Sequence, residues 1–252
     1  MGKNVVITGA SSGIGAALAK AFAQKGYNLG LAARRLDKLE DLARQLEEQY
    51  SIQVAVTELD VQDDSQVAPA LSHLAQQLGQ LDIVIANAGI TGARRSGNGN
   101  LTIDKAIFQT NLIGAIATLD AATKIFLAQG HGQLVGISSF SAFSPLPTSA
   151  AYSASKAALT NYMNAMRLEL LSKNIKVTVI HPGFIKTDIA PHMDKYPFVI
   201  EADAAALQML AAIEEQKANV IIPALPWKIA KGILQLLPDH LTAKMFGKMM
   251  KG

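Results

Sequence analysis

The amino-acid sequence predicts a three-layer α/β fold, in which helices cover both faces of a doubly wound parallel sheet of about seven strands. Short β-branched or apolar runs alternate with longer stretches of helical periodicity, which is the pattern of βαβ units with both sheet faces covered. The chain has 252 residues, and half of them are hydrophobic, which is enough for one sizeable core. We therefore expect residues 1–252 to form a single domain.

The predicted strands are short segments bounded by turn residues. They cover residues 4–8, 28–33, 53–59, 81–86, 132–138, 176–181 and 219–223. Helical periodicity lies between them, and Leu36, Leu39, Leu42 and Leu46 show the spacing of a helix with one buried face. The other predicted helices cover residues 13–25, 65–78, 102–128, 152–172 and 201–215.

Composition excludes several functional classes. The absence of cysteine excludes disulfides and thiolate chemistry, and the five histidines are scattered without close spacing, so we expect no metal site. The net charge of +3 comes from basic residues spread through the chain, so we expect no nucleic-acid partner. The chain starts without a signal-peptide pattern and has no charge-free apolar run of about 18 residues, so we expect a cytoplasmic protein.

A glycine-rich turn, TGASSGIG at residues 8–15, follows the first predicted strand and opens the next helix. Glycines let the backbone approach a pyrophosphate, and the helix N-terminus offers unpaired amides and a positive dipole end. This is the phosphate-binding turn of a Rossmann-type fold, and a tight turn without a ligand is the alternative. Its predicted cofactor-binding residues are Gly9, Ser11, Ser12, Gly13, Ile14 and Gly15.

Arg34 and Arg35 follow the second predicted strand, where a free ribose 2′-hydroxyl is normally met by Asp or Glu. A guanidinium matches the oxygens of a 2′-phosphate, so the pair favours NADP(H), and NAD(H) is the alternative cofactor. A solvated arginine pair at a helix start is the competing interpretation, although cations there oppose the helix dipole.

Tyr152 and Lys156 are four residues apart at the start of a predicted helix, which places phenol and ammonium on one face. We expect the ammonium and an oxidised nicotinamide to lower the pKa of Tyr152, so that the phenol exchanges a proton with the substrate. Lys156 would also hold the nicotinamide ribose, and Ser139 would bind the substrate oxygen. A Tyr-x-x-x-Lys pair alone is usually structural.

Together these motifs resemble the short-chain dehydrogenase/reductase family of the roughly 250-residue type, over about residues 4–223. The motifs occur in family order. They are the TGxxxGxG turn, Asp60-Val61, Asn87-Ala88-Gly89, Asn111, Ser139, Tyr152-x-x-x-Lys156 and Pro182-Gly183.

The resemblance implies roles for further residues. It makes Asn111, Ser139, Tyr152 and Lys156 a catalytic tetrad, in which the Asn111 main chain holds a water that connects Lys156 to solvent. It selects Ser139 over Ser138, because the family's serine stands thirteen residues before the tyrosine. The additional cofactor contacts that it implies are Asp60, Val61, Asn87, Ala88, Gly89, Pro182, Gly183, Ile185 and Thr187, together with Tyr152 and Lys156.

The resemblance also divides the chain into a mainly cofactor-binding half, residues 1–130, a catalytic and substrate half, residues 131–223, and an amphipathic helical tail, residues 224–252. The chain departs from the family pattern at Ser12, where many NADP-dependent relatives carry Lys or Arg. Arg34 and Arg35 must then recognise the 2′-phosphate without help from that position.

The implied activity is hydride transfer between NADP(H) and a carbonyl or secondary alcohol. Segments 91–100, 140–150 and 188–199 are predicted to line the substrate site, and their apolar residues favour a hydrophobic ketone, aldehyde or alcohol. The lining residues that we expect are Phe140, Phe143, Leu146, Phe184, Ile189 and Met193.

The resemblance implies a homodimer or homotetramer, formed through the predicted helices 102–128 and 152–172. These helices carry small residues that allow close approach, namely Ala115, Ala117, Ala121, Ala122, Ala154, Ala157, Ala158 and Ala165. The tail is interpreted as a packed helix pair that covers the substrate pocket or a neighbouring subunit, and peripheral membrane contact by a basic amphipathic helix is its alternative.

Two other functions compete. A serine hydrolase requires a G-x-S-x-G elbow, but the sequence around Ser138 lacks the second glycine, and His181 is better explained as a strand-end residue than as its base. A catalytically silent dinucleotide-binding regulatory protein is the more serious rival, because fold does not dictate function. Such proteins usually lose a member of the tetrad, and all four members are present here.

Overall fold

In a computed structural model, which describes residues 2–187 and 196–249, the chain folds around a seven-stranded parallel sheet. The strand order is β3-β2-β1-β4-β5-β6-β9, so the direction of winding reverses between β1 and β4. The predicted fold class is therefore confirmed. The sheet strands are β1 (Asn4–Thr8), β2 (Asn28–Ala33), β3 (Val54–Glu58), β4 (Ile83–Ala86), β5 (Gly132–Ile137), β6 (Ile175–Pro182) and β9 (Asn219–Ile222).

Helices cover both faces of this sheet. The helical elements are α1 (Gly13–Gln24), α2 (Leu36–Tyr50), α3 (Asp64–Leu78), α4 (Thr102–Phe108), α5 (Ala115–Gln129), α6 (Ala150–Glu169), α7 (Ala202–Glu214), α8 (Ala224–Leu236) and α9 (Asp239–Met249). On one face α1, α2 and α7 form a core with Phe22, Leu39 and Met209. On the other face α3, α5 and α6 form a second core that includes Leu119 and Leu159.

The helix predicted over residues 102–128 is interrupted by a π-helical turn, Gln109–Gly114. Its last residue packs against the chain after β3, where a Cβ on Gly114 would lie 2.6 Å from the Val61 carbonyl oxygen. Thr102–Gln129 is long and apolar enough to cross a membrane by length and composition, with a mean hydropathy of 1.3. Its Leu119 and Phe126 are fully buried in the protein core, as expected for a core helix.

Other boundaries differ by a few residues from those predicted. Helix α6 begins two residues before Tyr152, so the tyrosine lies in its first turn. A small parallel pair, β7 (Ile185–Lys186) and β8 (Ile200–Glu201), was not predicted, because two-residue strands are too short to show a periodic pattern. Part of the predicted 188–199 loop lies outside the described residues, including Ile189 and Met193.

The tail forms the two predicted helices, α8 and α9. One side of α8 packs on the segments that follow β5 and β6: the Trp227 ring lies 4.6 Å from the Phe140 ring and 5.2 Å from the Phe184 ring, centroid to centroid. Trp227 is buried, whereas Ile229 on the same helix is exposed. The packed-helix interpretation therefore describes only one side of α8.

Candidate active site

The turn between β1 and α1 is shaped by close backbone approaches. Gly9 and Gly13 have φ values of +68° and +56°, in the left-handed region that glycine adopts without strain. A Cβ on Gly15 would lie 2.4 Å from the Gly9 carbonyl oxygen, and a Cβ on Gly9 would lie 2.7 Å from the Ala88 Cα. The turn therefore needs glycine at these positions for packing as well as for conformation.

The start of α1 leaves its first amides free of side-chain caps. Ser12 is the N-cap residue, but its hydroxyl does not cap the helix. It accepts a hydrogen bond from Arg35 Nη2 at 2.6 Å instead, and the Ser11 hydroxyl accepts from the same Nη2 at 2.9 Å. These amides and the dipole of α1 suit a pyrophosphate, so the turn fits a dinucleotide cofactor.

The Arg35 guanidinium thus lies across the glycine-rich turn, close to the position where many relatives place a basic residue before the second glycine. Arg34 lines the same cavity, and both follow β2 directly. No acidic side chain occupies the two positions after β2, where a ribose 2′-hydroxyl is usually bound.

The remaining predicted cofactor residues surround the same cavity. Asn87 donates hydrogen bonds from Nδ2 to the carbonyl oxygens of Thr8 at 2.9 Å and Gly9 at 3.2 Å, which joins the ends of β4 and β1. Thr187 lies against the turn, 3.4 Å from a Cβ built on Gly13. The cavity lining also includes Asp60, Val61, Asn87, Ala88, Gly89, Pro182, Gly183, Ile185 and Thr187.

Lys156 is buried in α6, with 4% of its surface exposed. Its Nζ donates a hydrogen bond to the Ile137 carbonyl oxygen at the end of β5, at 2.8 Å. A Cβ built on Gly89 would lie 3.5 Å from this Nζ, so glycine keeps room beside the amine. Burial lowers the pKa of Lys156 to about 8, because desolvation disfavours the charged form.

Tyr152 lies one helical turn before Lys156, and the Lys156 Nζ is 5.9 Å from the centre of its ring. In the protein alone, burial raises the pKa of Tyr152, and the hydrogen bond with Ser139 only partly opposes this. In the protein alone, desolvation of the phenol outweighs its neighbours, and the lowering expected from Lys156 together with an oxidised nicotinamide stays a prediction for the cofactor-bound protein. The phenol is therefore protonated at neutral pH and can act as a proton donor.

Ser139 follows β5 and faces Tyr152, whereas Ser138 faces away and bonds to the Lys156 carbonyl oxygen and to Thr160. The Ser139 hydroxyl accepts hydrogen bonds from the Ser141 backbone amide at 3.1 Å and from its hydroxyl at 3.0 Å. Ser141 therefore orients the Ser139 hydroxyl, and the serine spacing S-x-S was the only signal of this role in the sequence.

Asn111 lies in the π-helical turn and is fully buried. Its side chain accepts a hydrogen bond from the Ile90 amide at 2.8 Å and donates to the Ile90 carbonyl oxygen at 2.9 Å. It also donates to the Ser155 hydroxyl on α6 at 3.3 Å. The Asn111 side chain therefore joins the π-helical turn to the Ile90 backbone and to α6, and the water-holding role of its main chain stays a prediction.

One continuous cavity of about 1030 Å³ joins the glycine-rich turn to Ser139, Tyr152 and Lys156 and to an apolar end. Phe140, Leu146 and Phe184 line it as predicted, whereas Phe143 packs behind Phe140 outside the lining. Tyr196 and Phe198 also line it, and both lie in the segment 188–199 that was predicted to do so. The tail covers the pocket, which was one of its two predicted positions, but the sequence did not indicate which tail residues form the wall. They are Trp227, Ala230, Ile233, Leu234 and Leu237.

His181 is fully buried beside this wall, with its ring 4.5 Å from the Phe143 ring. Burial lowers its pKa to about 4, and its Nε2 lies 3.4 Å from Asn219 Oδ1. This is the environment of a strand-end core histidine, as the sequence suggested. Within the described residues, no group of three or more His, Asp or Glu side chains could hold a metal ion.

Comparison with known proteins identifies the family. The model of the short chain dehydrogenase family matches residues 3–196. An uncharacterised oxidoreductase of Mycobacterium tuberculosis is 36% identical over 244 residues, which is 96% of each chain. The 11-beta-hydroxysteroid dehydrogenase 1A of Arabidopsis thaliana is 36% identical over 189 residues, 75% of this chain and 54% of that protein.

Among solved structures, the alcohol dehydrogenase of the archaeon Thermococcus sibiricus, complexed with 5-hydroxy-NADP, superposes with a TM-score of 0.80. It is 26% identical, and the match covers 88% of this chain and 94% of that one. The chain belongs to the short-chain dehydrogenase/reductase family of oxidoreductases, as its motifs predicted.

The buried Lys156 makes stability depend on pH. In the unfolded chain its amine keeps a proton up to its ordinary pKa of 10.5, whereas the folded protein releases it near pH 8. Between these values the unfolded state binds more protons, so the free energy of unfolding rises with pH. The limiting slope is about 1.4 kcal/mol per pH unit, and below pH 8 it vanishes.

Urea denaturation across this range compares the wild type with Lys156→Met, in which the rise is lost. The matched control is Lys25→Met, which changes an exposed lysine and keeps the wild-type slope. Equal pH dependence in all three proteins would contradict the burial of a titrating amine.

Proposed function

We propose that this protein is an NADP(H)-dependent oxidoreductase that transfers a hydride between the nicotinamide and a hydrophobic ketone, aldehyde or secondary alcohol. The observation that carries the proposal is the continuous cavity, which connects the glycine-rich turn to Ser139 and Tyr152 and then to an apolar wall. A dinucleotide anchored at the turn and a substrate against the wall would meet at these two side chains.

Arg34 and Arg35 support the preference for NADP(H). Both line the cavity at the end of β2, and Arg35 is already held against the glycine-rich turn by Ser11 and Ser12. A pre-positioned guanidinium loses little conformational entropy when it binds a phosphate. The archaeal alcohol dehydrogenase, a structural neighbour, was solved with an NADP derivative, which agrees with this preference.

Each of the catalytic side chains has a separate role in carbonyl reduction. The reduced nicotinamide supplies the hydride when the cofactor is bound. The Ser139 hydroxyl, oriented by Ser141, donates a hydrogen bond to the carbonyl oxygen, and protonated Tyr152 transfers its proton to the same oxygen as negative charge develops there. Lys156 places a cation next to the resulting phenolate and holds the ribose hydroxyls.

The apolar end of the cavity supports a hydrophobic substrate. Phe140 and Phe184 line it together with Trp227 and Leu234 of α8 and Leu237, which follows that helix. These side chains offer contact area with few hydrogen-bonding groups, so the carbonyl oxygen would be oriented by Ser139 and Tyr152 alone. The match to a plant protein named as a hydroxysteroid dehydrogenase is consistent with a bulky apolar substrate.

Tyr152→Phe tests the proton transfer. The substitution removes the hydroxyl and keeps the ring, so we expect NADPH binding to be nearly unchanged and turnover to fall at least about a hundredfold. Loss of absorbance at 340 nm with a panel of aldehydes and ketones measures turnover. Tyr162→Phe, on the same helix and outside the cavity lining, is the matched control. Near-normal turnover of Tyr152→Phe would refute the assignment.

Arg34→Ala combined with Arg35→Ala tests cofactor selection. Losing charge-assisted bonds to a 2′-phosphate should weaken NADPH binding by roughly 1.5–3 kcal/mol and leave NADH binding almost unchanged. Titration calorimetry gives both affinities, and Arg44→Ala, which changes an exposed arginine on α2, the helix that follows Arg35, controls for a general loss of positive charge. Equal losses for the two cofactors would rule out 2′-phosphate recognition.

We also propose that the protein is a homodimer or homotetramer, formed through α4, α5 and α6. Ala115, Ala121 and Ala122 pack in the core, so they are not available for the contact that was predicted for them. The other alanines predicted for this contact remain partly or fully exposed, namely Ala117, Ala154, Ala157, Ala158 and Ala165. Bulkier side chains on these helices and on the π-helical turn between α4 and α5 add exposed apolar surface. They include Ile103, Phe108, Ile113, Leu127 and Leu168.

The association is tested by light scattering over a range of protein concentrations, and we expect the mass of two or four chains. Ile113→Asp with Phe108→Asp should shift the mass towards one chain, because each buried carboxylate would lack a partner. A wild-type mass of one chain at all concentrations would contradict the proposal.

A further inference from the structure

The outer side of α8 carries an unusual number of exposed apolar residues. Leu225, Ile229, Ile233 and Leu236 are 67%, 59%, 55% and 87% exposed. Leu241 of α9 adds another exposed leucine close in sequence. Scattered exposed apolar residues are normal on a protein surface, but several of them on one short helix indicate an interaction surface.

This apolar side faces away from the packed side of the same helix. Trp227, Ala230 and Leu234 line the cavity and recur every three or four residues. Ile229 and Leu236 are seven residues apart, two helical turns, and lie on the other side of the helix axis. Packing on the protein core therefore leaves this second side uncovered.

Ile233 connects the two sides. It lines the apolar end of the cavity, and it is also more than half exposed. The apolar wall of the cavity and the exposed side of α8 are therefore continuous at this residue. A molecule that covers the exposed side would lie next to the opening of the substrate end.

The charge of the segment around α8 distinguishes between the molecules that could cover its exposed side. Residues 224–252 contain five lysines and one acidic residue, Asp239, so this segment has a larger positive charge than the net +3 of the whole chain. Lys228 and Lys244 are exposed. A second copy of the same helix would bring like charges together, whereas an anionic surface is complementary.

We propose that α8 lies in the surface of an anionic lipid membrane, with the side chains of Ile229, Ile233 and Leu236 in the boundary between headgroups and acyl chains. A basic helix with an apolar side binds in this way through buried apolar area and through attraction to anionic lipids. The docking is independent of the hydride-transfer proposal. If that proposal also holds, an apolar substrate reaches the cavity from the lipid beside Ile233.

Sedimentation with vesicles tests the docking without any activity measurement. Full-length protein is mixed with phosphatidylcholine vesicles, with or without about a third of phosphatidylglycerol, at low and at high salt. We expect binding to the anionic vesicles at low salt, and at least about tenfold weaker binding to neutral vesicles or at high salt. Absence of binding to anionic vesicles at low salt would overturn the proposal.

Two variants assign the binding to α8. Ile229→Gln with Leu236→Gln should reduce vesicle affinity at least about tenfold, because both apolar side chains leave the lipid boundary. Lys228→Glu should reduce affinity for anionic vesicles more than fivefold, since about 1 kcal/mol per basic residue is lost and a repulsion is added. None of these residues lines the cavity.

The matched control is Leu207→Gln on α7, which changes an equally exposed leucine, 53% accessible, on an element remote from α8. It should bind vesicles like the wild type, and circular dichroism should show all variants folded. Equal loss of binding in the control would overturn the assignment to α8. So would an unchanged vesicle affinity of the Ile229→Gln, Leu236→Gln variant accompanied by a smaller oligomer, because a second copy would then be the molecule that covers this side.

Discussion

The hydrogen bonds from the Asn87 amide to the carbonyl oxygens of Thr8 and Gly9 join β4 to β1 where the winding of the sheet reverses. At such a reversal the helices leave to opposite faces, and a crevice opens at the carboxyl ends of the strands. The same carbonyl of Gly9 is so close to Gly15 that no side chain fits between them. The glycine-rich turn and the crevice therefore depend on the same close contacts. A side chain at Gly9 or Gly15 would push these backbone segments apart.

The architecture also depends on the position of Lys156. A buried ammonium is costly, and in the protein alone its Nζ bonds to the carbonyl of Ile137, which keeps α6 against the end of β5. The first turn of α6 then carries Tyr152 to Ser139, and Ser141 orients the Ser139 hydroxyl. Because each of these side chains lies at a strand end or on a helix, the cluster is organised before any ligand binds.

Much of this arrangement could be predicted because its signals are local. The glycine-rich turn and the Tyr-x-x-x-Lys pair are short spacings whose geometry follows from one strand end or one helix face. The contribution of α8 to the cavity could not be read in the same way. Its periodicity is apolar on both sides, and only the tertiary packing of Trp227 shows which side faces the cavity.

Two further features of the structure were not predicted from the sequence, and tertiary packing explains both. The π-helical turn at Asn111 arises where Gly114 packs against Val61, a contact between residues that are far apart in sequence. The raised pKa of Tyr152 comes from burial, which spacing along the chain does not encode. Local pattern therefore predicted which residues meet at the site, and the three-dimensional packing decided their protonation and the shape of the space around them.

The central claim is that a dinucleotide and an apolar carbonyl compound react within one cavity. Deuterium transfer tests it most directly: NADPH carrying deuterium at the transferable nicotinamide position is incubated with the protein and a panel of aryl and long-chain ketones and aldehydes, and the alcohols are analysed by mass spectrometry. The account predicts an alcohol with one deuterium on its carbinol carbon, formed in step with NADPH oxidation. Failure of every ketone and aldehyde to yield a deuterated alcohol, while NADPH binds, would contradict it and favour a dinucleotide-binding protein without catalysis.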